Sequence, residues 1–196
     1  LDGTERILNG SEIMIKDGEN NPMCIAGVFG GENSGVNSET KSIFLESAYF
    51  NPVAIRKGAK FHALNTDASF RFERGVDPNN TRTALTQAVA LIEEIAGGKL
   101  AGPLLEHYPK KIEDHYVILR FSKKEQLLGT KIHQEKIKEI LKSLEIQVLN
   151  EIQKGLELSV PSYRADVTRE IDVIEEILRI YGYNKIDSPK KFSLMI

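Results

Sequence analysis

The chain of 196 residues is poor in the features that mark several protein classes. It has one cysteine, Cys24, and no tryptophan, which argues against a disulfide framework and for a reducing compartment. No apolar run approaches the roughly 18 residues that a membrane span needs. The first residues, LDGTERILNG, lack the apolar region of a signal peptide. We therefore expect a cytoplasmic protein without a membrane segment.

A large excess of positive charge is also absent. The chain has 26 basic and 28 acidic residues and a net charge of -2, so it is no globally basic nucleic-acid-binding protein. Any RNA contact must be local, and the stretch from Arg56 to Arg74, with five basic residues and His62, is the candidate. A solvated mixed-charge surface is the simpler interpretation of that stretch.

The first half of the chain alternates short apolar runs with turns. The runs at 13–15, 24–31 and 42–50 predict strands. Asn51 followed by Pro52 predicts a helix start. Apolar residues at helical spacing predict the clearest helix after position 80, and Gly97 and Gly98 supply its stop.

The second half follows a linker candidate at 99–115. A short strand at 117–121 leads into SKKE, a capping-box pattern with Ser122 as N-cap. A helix at 133–144, a β-hairpin and a last helix complete this half.

These patterns predict an α+β fold with two domains. We expect a mixed, β-rich domain with packed helices over residues 1–108. A small three-helix domain with a β-hairpin, similar to a helix-turn-helix domain, is expected over 109–190, and the start of a linker over 191–196.

Glu46 lies within the otherwise apolar run IFLESAYF. A buried carboxylate costs several kcal/mol unless it is paired or functional. A structural ion pair with Arg56 or Arg71 is one explanation, and ligand recognition is the other. No Ser-His-Asp or Cys-His arrangement is visible, and the four histidines are scattered and expected at the surface.

The last helix carries an acidic stripe. Asp172, Glu175, Glu176 and Arg179 fall at i, i+3, i+4 and i+7, and Asp166 precedes the helix. Four carboxylates near a helix start could hold a hard cation such as magnesium. The structural alternative is stabilisation of the helix dipole together with a Glu175–Arg179 pair.

Long stretches of the chain resemble one family. IAGVFGGENSGVNSET, IFLESAYFNPVAIR, NTDASFRFERGVDP and LIEEIAGG resemble the tRNA-editing domain of bacterial phenylalanyl-tRNA synthetase beta subunits. LLGTKI, ILKSLEIQV and VPSYRADVTREIDVIEEILRIYGYNKI resemble the small domain that follows it. The resemblance covers nearly the whole chain in the right order, and it implies a piece of a beta subunit that begins inside the editing domain.

The resemblance implies an aminoacyl-tRNA ligase as the full enzyme. In that family an alpha subunit and beta form an (αβ)₂ heterotetramer that attaches phenylalanine to its tRNA with ATP. ATP is not expected to bind this region. The beta subunit hydrolyses mischarged tyrosyl-tRNA, and the isolated chain is expected to be inactive or weakly active in this editing. A non-catalytic structural or RNA-binding module is the alternative, and a helix-turn-helix regulator is a weaker third.

The resemblance also assigns roles to residues. Glu46 falls on the acid that recognises the tyrosine hydroxyl, and Thr66 and Ala68 fall on the pocket wall near the ester. Gly30 falls where the backbone approaches the substrate closely. A turn glycine and an N-cap hydroxyl are the structural alternatives for Gly30 and Thr66.

A magnesium ion at the alpha–beta boundary is also implied by the resemblance. Its matching positions are Asp166, Asp172, Glu175 and Glu176. One departure is Glu145, which stands where the family usually has a helix-ending glycine and is expected to alter only the local cap.

Overall fold

The structure is a computed structural model that describes residues 2–186. The chain forms two compact units that divide between Lys110 and Lys111. The predicted domain limits remain a prediction, and the predicted linker at 191–196 lies outside the described residues. Across residues 2–186, no helix has both the length and the apolar character that crossing a membrane requires.

A small antiparallel sheet opens the first unit. It consists of β1 (Met14–Lys16), β2 (Pro22–Ile25) and β3 (Phe29–Gly30) in the order β1-β2-β3. The β1–β2 turn is organised by Asp17, whose carboxylate accepts hydrogen bonds from the Glu19 and Asn21 amides at 2.9 and 2.8 Å. Both strand pairs are antiparallel. The expected β-rich character is wrong for the described part of this unit, because its three strands are short and its helices are longer.

The predicted strand at 42–50 is also wrong. Residues 41–50 have no regular secondary structure, and Ile43 and Phe44 are 53% and 89% exposed. A strand needs a hydrogen-bonding neighbour, and the sheet of the first unit offers none to this segment. The apolar composition alone could not show that this neighbour is missing.

Three helices follow in the first unit: α1 (Pro52–Phe61), α2 (Asp67–Phe72) and α3 (Thr81–Ala96). The predicted start of α1 is confirmed, since Asn51 Oδ1 accepts from the amides of Val53 and Ala54 at 2.9 and 3.2 Å. The predicted end of α3 is confirmed too, with Gly97 in the left-handed conformation at φ 64°. The short helix α2 was not predicted.

The core of the first unit is small. Val28, Ile55 and Ala59 are buried together, and they pack against partly buried neighbours that include Phe50 and Phe72. Gly27 has φ 64°, and a Cβ there would lie 2.9 Å from the Phe50 ring, so both backbone and space require glycine. The long helix α3 contributes no buried residue.

The second unit is a sheet covered by helices. Its elements are β4 (His115–Arg120), α4 (Phe121–Leu128), α5 (Gln134–Ser143), β5 (Gln147–Ile152), β6 (Gly155–Val160), α6 (Glu170–Tyr181) and a 3₁₀ turn at Tyr183–Lys185. The strands are antiparallel in the order β4-β6-β5. The predicted hairpin, here β5–β6, and the three helices are confirmed, and the likeness to a helix-turn-helix domain stays a prediction.

The predicted cap of α4 is wrong. The helix begins at Phe121, Arg120 occupies the N-cap position, and no side chain caps it. The reason is that β4 runs directly into α4, which places Ser122 inside the first turn. Gly129 ends the helix in the left-handed conformation at φ 65°, as predicted.

Candidate functional site

Glu46 lies on the irregular segment 41–50, and its side chain is exposed. This corrects the expectation of a carboxylate held dry within a buried strand. Solvent reaches the side chain, yet the surrounding atoms desolvate it enough to raise the pKa of the carboxyl. Burial is the only cause of that rise, and in residues 2–186 no hydrogen bond or ion pair holds Glu46.

The structural explanation offered for Glu46 also fails. Arg56 does not pair with it and instead donates to the carbonyl oxygen of Glu73 at 3.0 Å. Within residues 2–186, no salt bridge joins Glu46 to Arg71 either. An unpaired, partly desolvated carboxylate is available to a ligand.

Cys24 connects Glu46 to the glycine pair. Burial raises the pKa of the Cys24 thiol, and the negative charge of Glu46 raises it further, which places the carboxylate near the thiol. Cys24 also pairs with Gly30 across β2 and β3. The charge of Glu46 therefore acts on the strand residue that pairs with Gly30.

Gly31, next to Gly30, is the position where geometry demands glycine. A Cβ at Gly31 would lie 2.3 Å from the carbonyl oxygen of Met23, which accepts the Gly31 amide at 2.8 Å. The resemblance assigns a close backbone approach to Gly30, the other glycine of the pair. The close backbone approach at Gly31 serves the sheet, and the approach of Gly30 to a substrate stays a prediction.

A cavity of about 390 Å³ opens beside β2 and β3, and we call it the N-terminal cavity. It is lined by residues 2–6 and 8, by Met14, and by residues 22–25 and 29–32, so Cys24 and Gly30 both contribute. Glu46, Thr66 and Ala68 are not among its lining residues. Arg6 lies over the Phe29 ring at 5.5 Å, and the Asp2 carboxylate pairs with Arg6 at 2.6 Å.

Thr66 caps α2 as its N-cap residue. Its hydroxyl donates to the Val28 carbonyl oxygen at 2.7 Å and accepts the Ser69 amide at 3.0 Å. The N-cap alternative for Thr66 is thus what the structure shows, and the same hydroxyl fastens α2 to the residue before β3. Ala68 lies exposed in the first turn of α2. Of the four predicted pocket residues, Gly30 lines the N-terminal cavity, and the assignment of all four to one editing pocket stays a prediction.

The acidic stripe is held by arginines. The Asp172 carboxylate accepts from the Arg169 amide at 2.9 Å and from its guanidinium at 2.9 Å, which closes the start of α6. The Glu176 carboxylate accepts from both Arg179, at 2.7 Å, and Arg164. Hydrogen bonds from Arg179 and Arg164 outweigh burial and lower the pKa of Glu176 to about 2.

This arrangement does not fit a magnesium ion. Asp166 and Glu175 are exposed, and among residues 2–186 no three His, Cys, Asp or Glu residues are grouped to hold a metal. The structural alternative of capping and pairing is present, with the correction that Arg179 pairs with Glu176 rather than with Glu175. Magnesium binding by the stripe stays a prediction that these contacts do not support.

The candidate basic surface between Arg56 and Arg74 is partly committed to internal contacts. Arg74 donates to the Phe70 carbonyl oxygen at 2.7 Å and lies over the Phe70 ring at 3.6 Å. Arg56 holds the Glu73 carbonyl oxygen. These two guanidinium groups support the α1–α2 region, whereas Lys57, Lys60 and Arg71 are exposed, so part of the stretch can still form a basic surface.

The sequence did not predict the burial of two ionisable side chains, His62 and Lys124. His62, expected at the surface, has a side chain only 4% exposed and lies 2.9 Å from the Glu12 carboxylate. Lys124 is 1% exposed, and its ammonium donates to the Ile132 carbonyl oxygen at 3.2 Å. No local pattern could have found the first pair, because 50 residues separate its members.

Comparison with known proteins gives two domain matches in sequence. Residues 1–97 match the B3/4 domain family, and residues 117–183 match the tRNA synthetase B5 domain family. Over 187 residues the chain is 51% identical to the "Phenylalanine--tRNA ligase beta subunit" of Porphyromonas gingivalis. The chain belongs to the phenylalanine–tRNA ligase beta-subunit family. The predicted family is thereby confirmed.

Other beta subunits of this family match over the same region. The identity is 50% over 189 residues for Bacteroides fragilis and 46% over 188 residues for Thermotoga maritima. Each alignment covers 96% of this chain but 23% of the relative. The chain thus spans about a quarter of a beta subunit, with Glu46 and Thr66 in the B3/4 match and the acidic stripe in the B5 match.

Proposed function

We propose that this region contributes to hydrolytic editing of mischarged tyrosyl-tRNA within a phenylalanine–tRNA ligase. The whole enzyme would attach phenylalanine to its tRNA with Mg²⁺-ATP. Its partners would be the alpha subunit and the tRNA specific for phenylalanine, in a cytoplasmic (αβ)₂ heterotetramer. Family membership over 95% of the chain supports this assignment.

One observation carries the editing role: the partly desolvated carboxylate of Glu46, which has no hydrogen-bond or ion-pair partner among residues 2–186 and whose charge acts on Cys24. Tyrosine differs from phenylalanine by one hydroxyl, and an apolar synthetic pocket rejects an added hydroxyl only about 10²-fold. A second site must therefore recognise the hydroxyl itself. A carboxylate that lacks a partner within the protein can accept a phenol O–H.

The energetics favour tyrosine at such a site. A hydrogen bond to a charged acceptor contributes about 1.5–3 kcal/mol. Phenylalanine would cover the same carboxylate without pairing it, which costs free energy. Glu46 would thus attract the hydroxyl and penalise its absence, so it would act in binding and specificity rather than as a catalytic residue.

Hydrolysis in this proposal depends on positioning. An aminoacyl ester of tRNA is already labile, so orienting it and a water molecule accounts for the acceleration. Residues of this chain would shape the site: Thr66 fastens α2 to Val28, and Val28 immediately precedes β3 with Gly30. Magnesium enters only with the ATP of the whole enzyme, and no step is assigned to the acidic stripe.

Deacylation of tyrosyl-tRNA by the whole αβ enzyme tests the proposal. Glu46→Gln and Glu46→Ala should each lower the hydrolysis rate about 10- to 100-fold, the equivalent of one charge-assisted hydrogen bond. Glu39→Gln, an exposed acid on the preceding loop, is the matched control and should leave the rate within about twofold. Unchanged hydrolysis in both Glu46 variants would overturn the editing role and leave the structural or RNA-binding module.

A further inference from the structure

The buried pair of Glu12 and His62 lies outside the residues considered above. Its side chains are 1% and 4% exposed, and Nε2 of His62 lies 2.9 Å from Oε1 of Glu12. The Phe61 ring meets the His62 ring edge-on at a centroid distance of 4.9 Å. Burying ionisable side chains costs free energy unless their hydrogen bonds are satisfied. The position of this pair inside the first unit therefore calls for a structural role.

The Glu12 carboxylate also organises the loop before β1. It accepts hydrogen bonds from the amides of Asn9, at 3.1 Å, and Gly10, at 3.0 Å. Burial opposes ionisation, but backbone hydrogen bonds and His62 outweigh it and lower the pKa of Glu12. An ionised carboxylate only accepts, so Nε2 of His62 carries the proton and donates it.

Helix α1 supports both sides of the N-terminal cavity. At its C-terminal end, His62 holds the loop that follows residues 2–8. Along its length, Ile55 and Ala59 pack with Val28 directly before β3. A Cβ at Gly58 would lie 3.5 Å from the Glu12 side chain, so the loop rests against the helix itself.

The two supported parts line the cavity together. Residues 2–6 and 8, which we call the N-terminal wall, line it with Cys24 and with Phe29–Gly30 of β3. Arg6 over the Phe29 ring is the contact that joins the wall to the strand. Both side chains are partly buried, and a cation–π contact is worth about 0.5–2 kcal/mol, so the buried Glu12–His62 pair adds a second and separate support for the wall.

We propose that Glu12 and His62 are positioning residues that fix the N-terminal wall and so set how far the cavity opens over Cys24 and Gly30. Helix α1 transmits the constraint, because it holds the wall through His62 and β3 through Ile55 and Ala59. The role of the cavity in editing rests on the proposed function. The control of the opening does not, so the two can fail separately.

The single cysteine of the chain reports the opening directly. Cys24 is half-buried and lines the cavity, and a thiol reacts as its thiolate, so loss of the wall should raise both its access and its reactivity. In this chain, His62→Ala and Glu12→Ala should speed labelling of Cys24 by a maleimide about tenfold or more. His62→Gln keeps a side-chain N–H donor and should restore the slower rate.

The controls distinguish a local displacement of the N-terminal wall from global unfolding of the chain. Glu19→Ala, an exposed acid in the β1–β2 turn of the same unit, should leave the labelling rate unchanged. A local opening should depend weakly on low urea concentrations, whereas labelling through global unfolding should rise steeply with urea. Unchanged labelling in His62→Ala, or a steep urea dependence, would overturn the proposal.

A kinetic measurement on the whole αβ enzyme tests whether the opening of the N-terminal cavity affects editing. His62→Ala should raise KM for tyrosyl-tRNA deacylation at least fivefold with kcat within about twofold, because a displaced wall weakens binding rather than the chemical step. An equal KM in His62→Ala and wild type would overturn the link to editing. Failure of the editing role itself would show in the Glu46 variants and would leave the labelling result standing.

Discussion

The two units of the chain differ in how much of their apolar content they bury. Among residues 2–186, the second unit packs 16 buried residues into one core, whereas the first packs three. The first unit also leaves Ile7, Phe44 and Leu105 at least 80% exposed. Burial of apolar surface is the main stabilising term in folding, so the second unit carries most of the stability and the first unit carries the candidate site.

The helices show the same contrast. Both α5 and α6 bury three residues each, while the longer α3 buries none and leaves Leu91 54% exposed. The difference does not come from sequence pattern, since all three helices have apolar residues at helical spacing. It comes from whether a neighbouring element lies against the apolar stripe.

Core truncation is the largest expected effect and tests the contrast directly. Leu141→Ala removes a fully buried side chain from α5 and should lower the free energy of unfolding by about 2–5 kcal/mol. Leu91→Ala on α3 should lower it by less than about 0.5 kcal/mol, because the site is already solvated. Urea unfolding of this chain, followed by circular dichroism, measures both. Equal losses would refute the contrast.

Two glycines with the same backbone conformation sharpen the comparison. Gly27 in the first unit and Gly129 in the second have φ 64° and 65°, but only at Gly27 would a Cβ meet side chains, with Phe50 at 2.9 Å. Gly129→Ala should cost about 1–2 kcal/mol of left-handed strain, and Gly27→Ala about 1–3 kcal/mol more from overpacking. Thermal melting compares the two variants, and a smaller shift for Gly27→Ala would contradict the packing described.

The smallest expected effect concerns two glutamates whose pKa values shift in opposite directions. Arg179 and Arg164 lower the pKa of Glu176 to about 2. The ionised carboxylate therefore stabilises the fold at any pH above the pKa of Glu176 in the unfolded chain. This contribution is lost as the pH falls through about 2. Burial raises the pKa of Glu46, so the ionised Glu46 carboxylate opposes folding. This penalty disappears as the pH falls below the pKa of Glu46 in the unfolded chain.

The Gln variants of both residues test these signs at pH 7. Glu176→Gln should destabilise the chain by about 1 kcal/mol through the loss of its charge toward the two arginines, and Glu46→Gln should not destabilise it, with a difference below about 1 kcal/mol because solvent screens the exposed Glu46. Unfolding free energies at pH 7 and pH 3 provide the measurement. A destabilising Glu46→Gln at pH 7 would show a partner for Glu46 that the structure does not contain.

The predictions from sequence succeeded where neighbouring residues decide the conformation. Asn51 and Pro52 start α1, Gly97 and Gly129 end their helices, and the β5–β6 hairpin lies where alternation indicated it. At Glu145, which follows the end of α5, the backbone adopts φ 60°, the left-handed conformation that favours glycine. Each of these outcomes depends on residues within one or two turns of each other.

The failures share a different cause. The run at 42–50 lacks a strand neighbour, and Glu176 accepts not only from Arg179 but also from Arg164, which lies outside α6. For the candidate site, the sequence indicated Glu46, but not its exposure or its proximity to Cys24. These features depend on which segments meet in space.

The sequence by itself determined the family, the caps and the order of most elements, because capping, left-handed glycines and apolar periodicity act over a few residues. Only the tertiary structure decided that Glu46 has no ion-pair partner within residues 2–186, that Arg164 reaches Glu176 from outside α6, and that Glu12 meets His62 across 50 residues. Hydrogen bonds and desolvation depend on distances between atoms, and the chain sets those distances only when it folds.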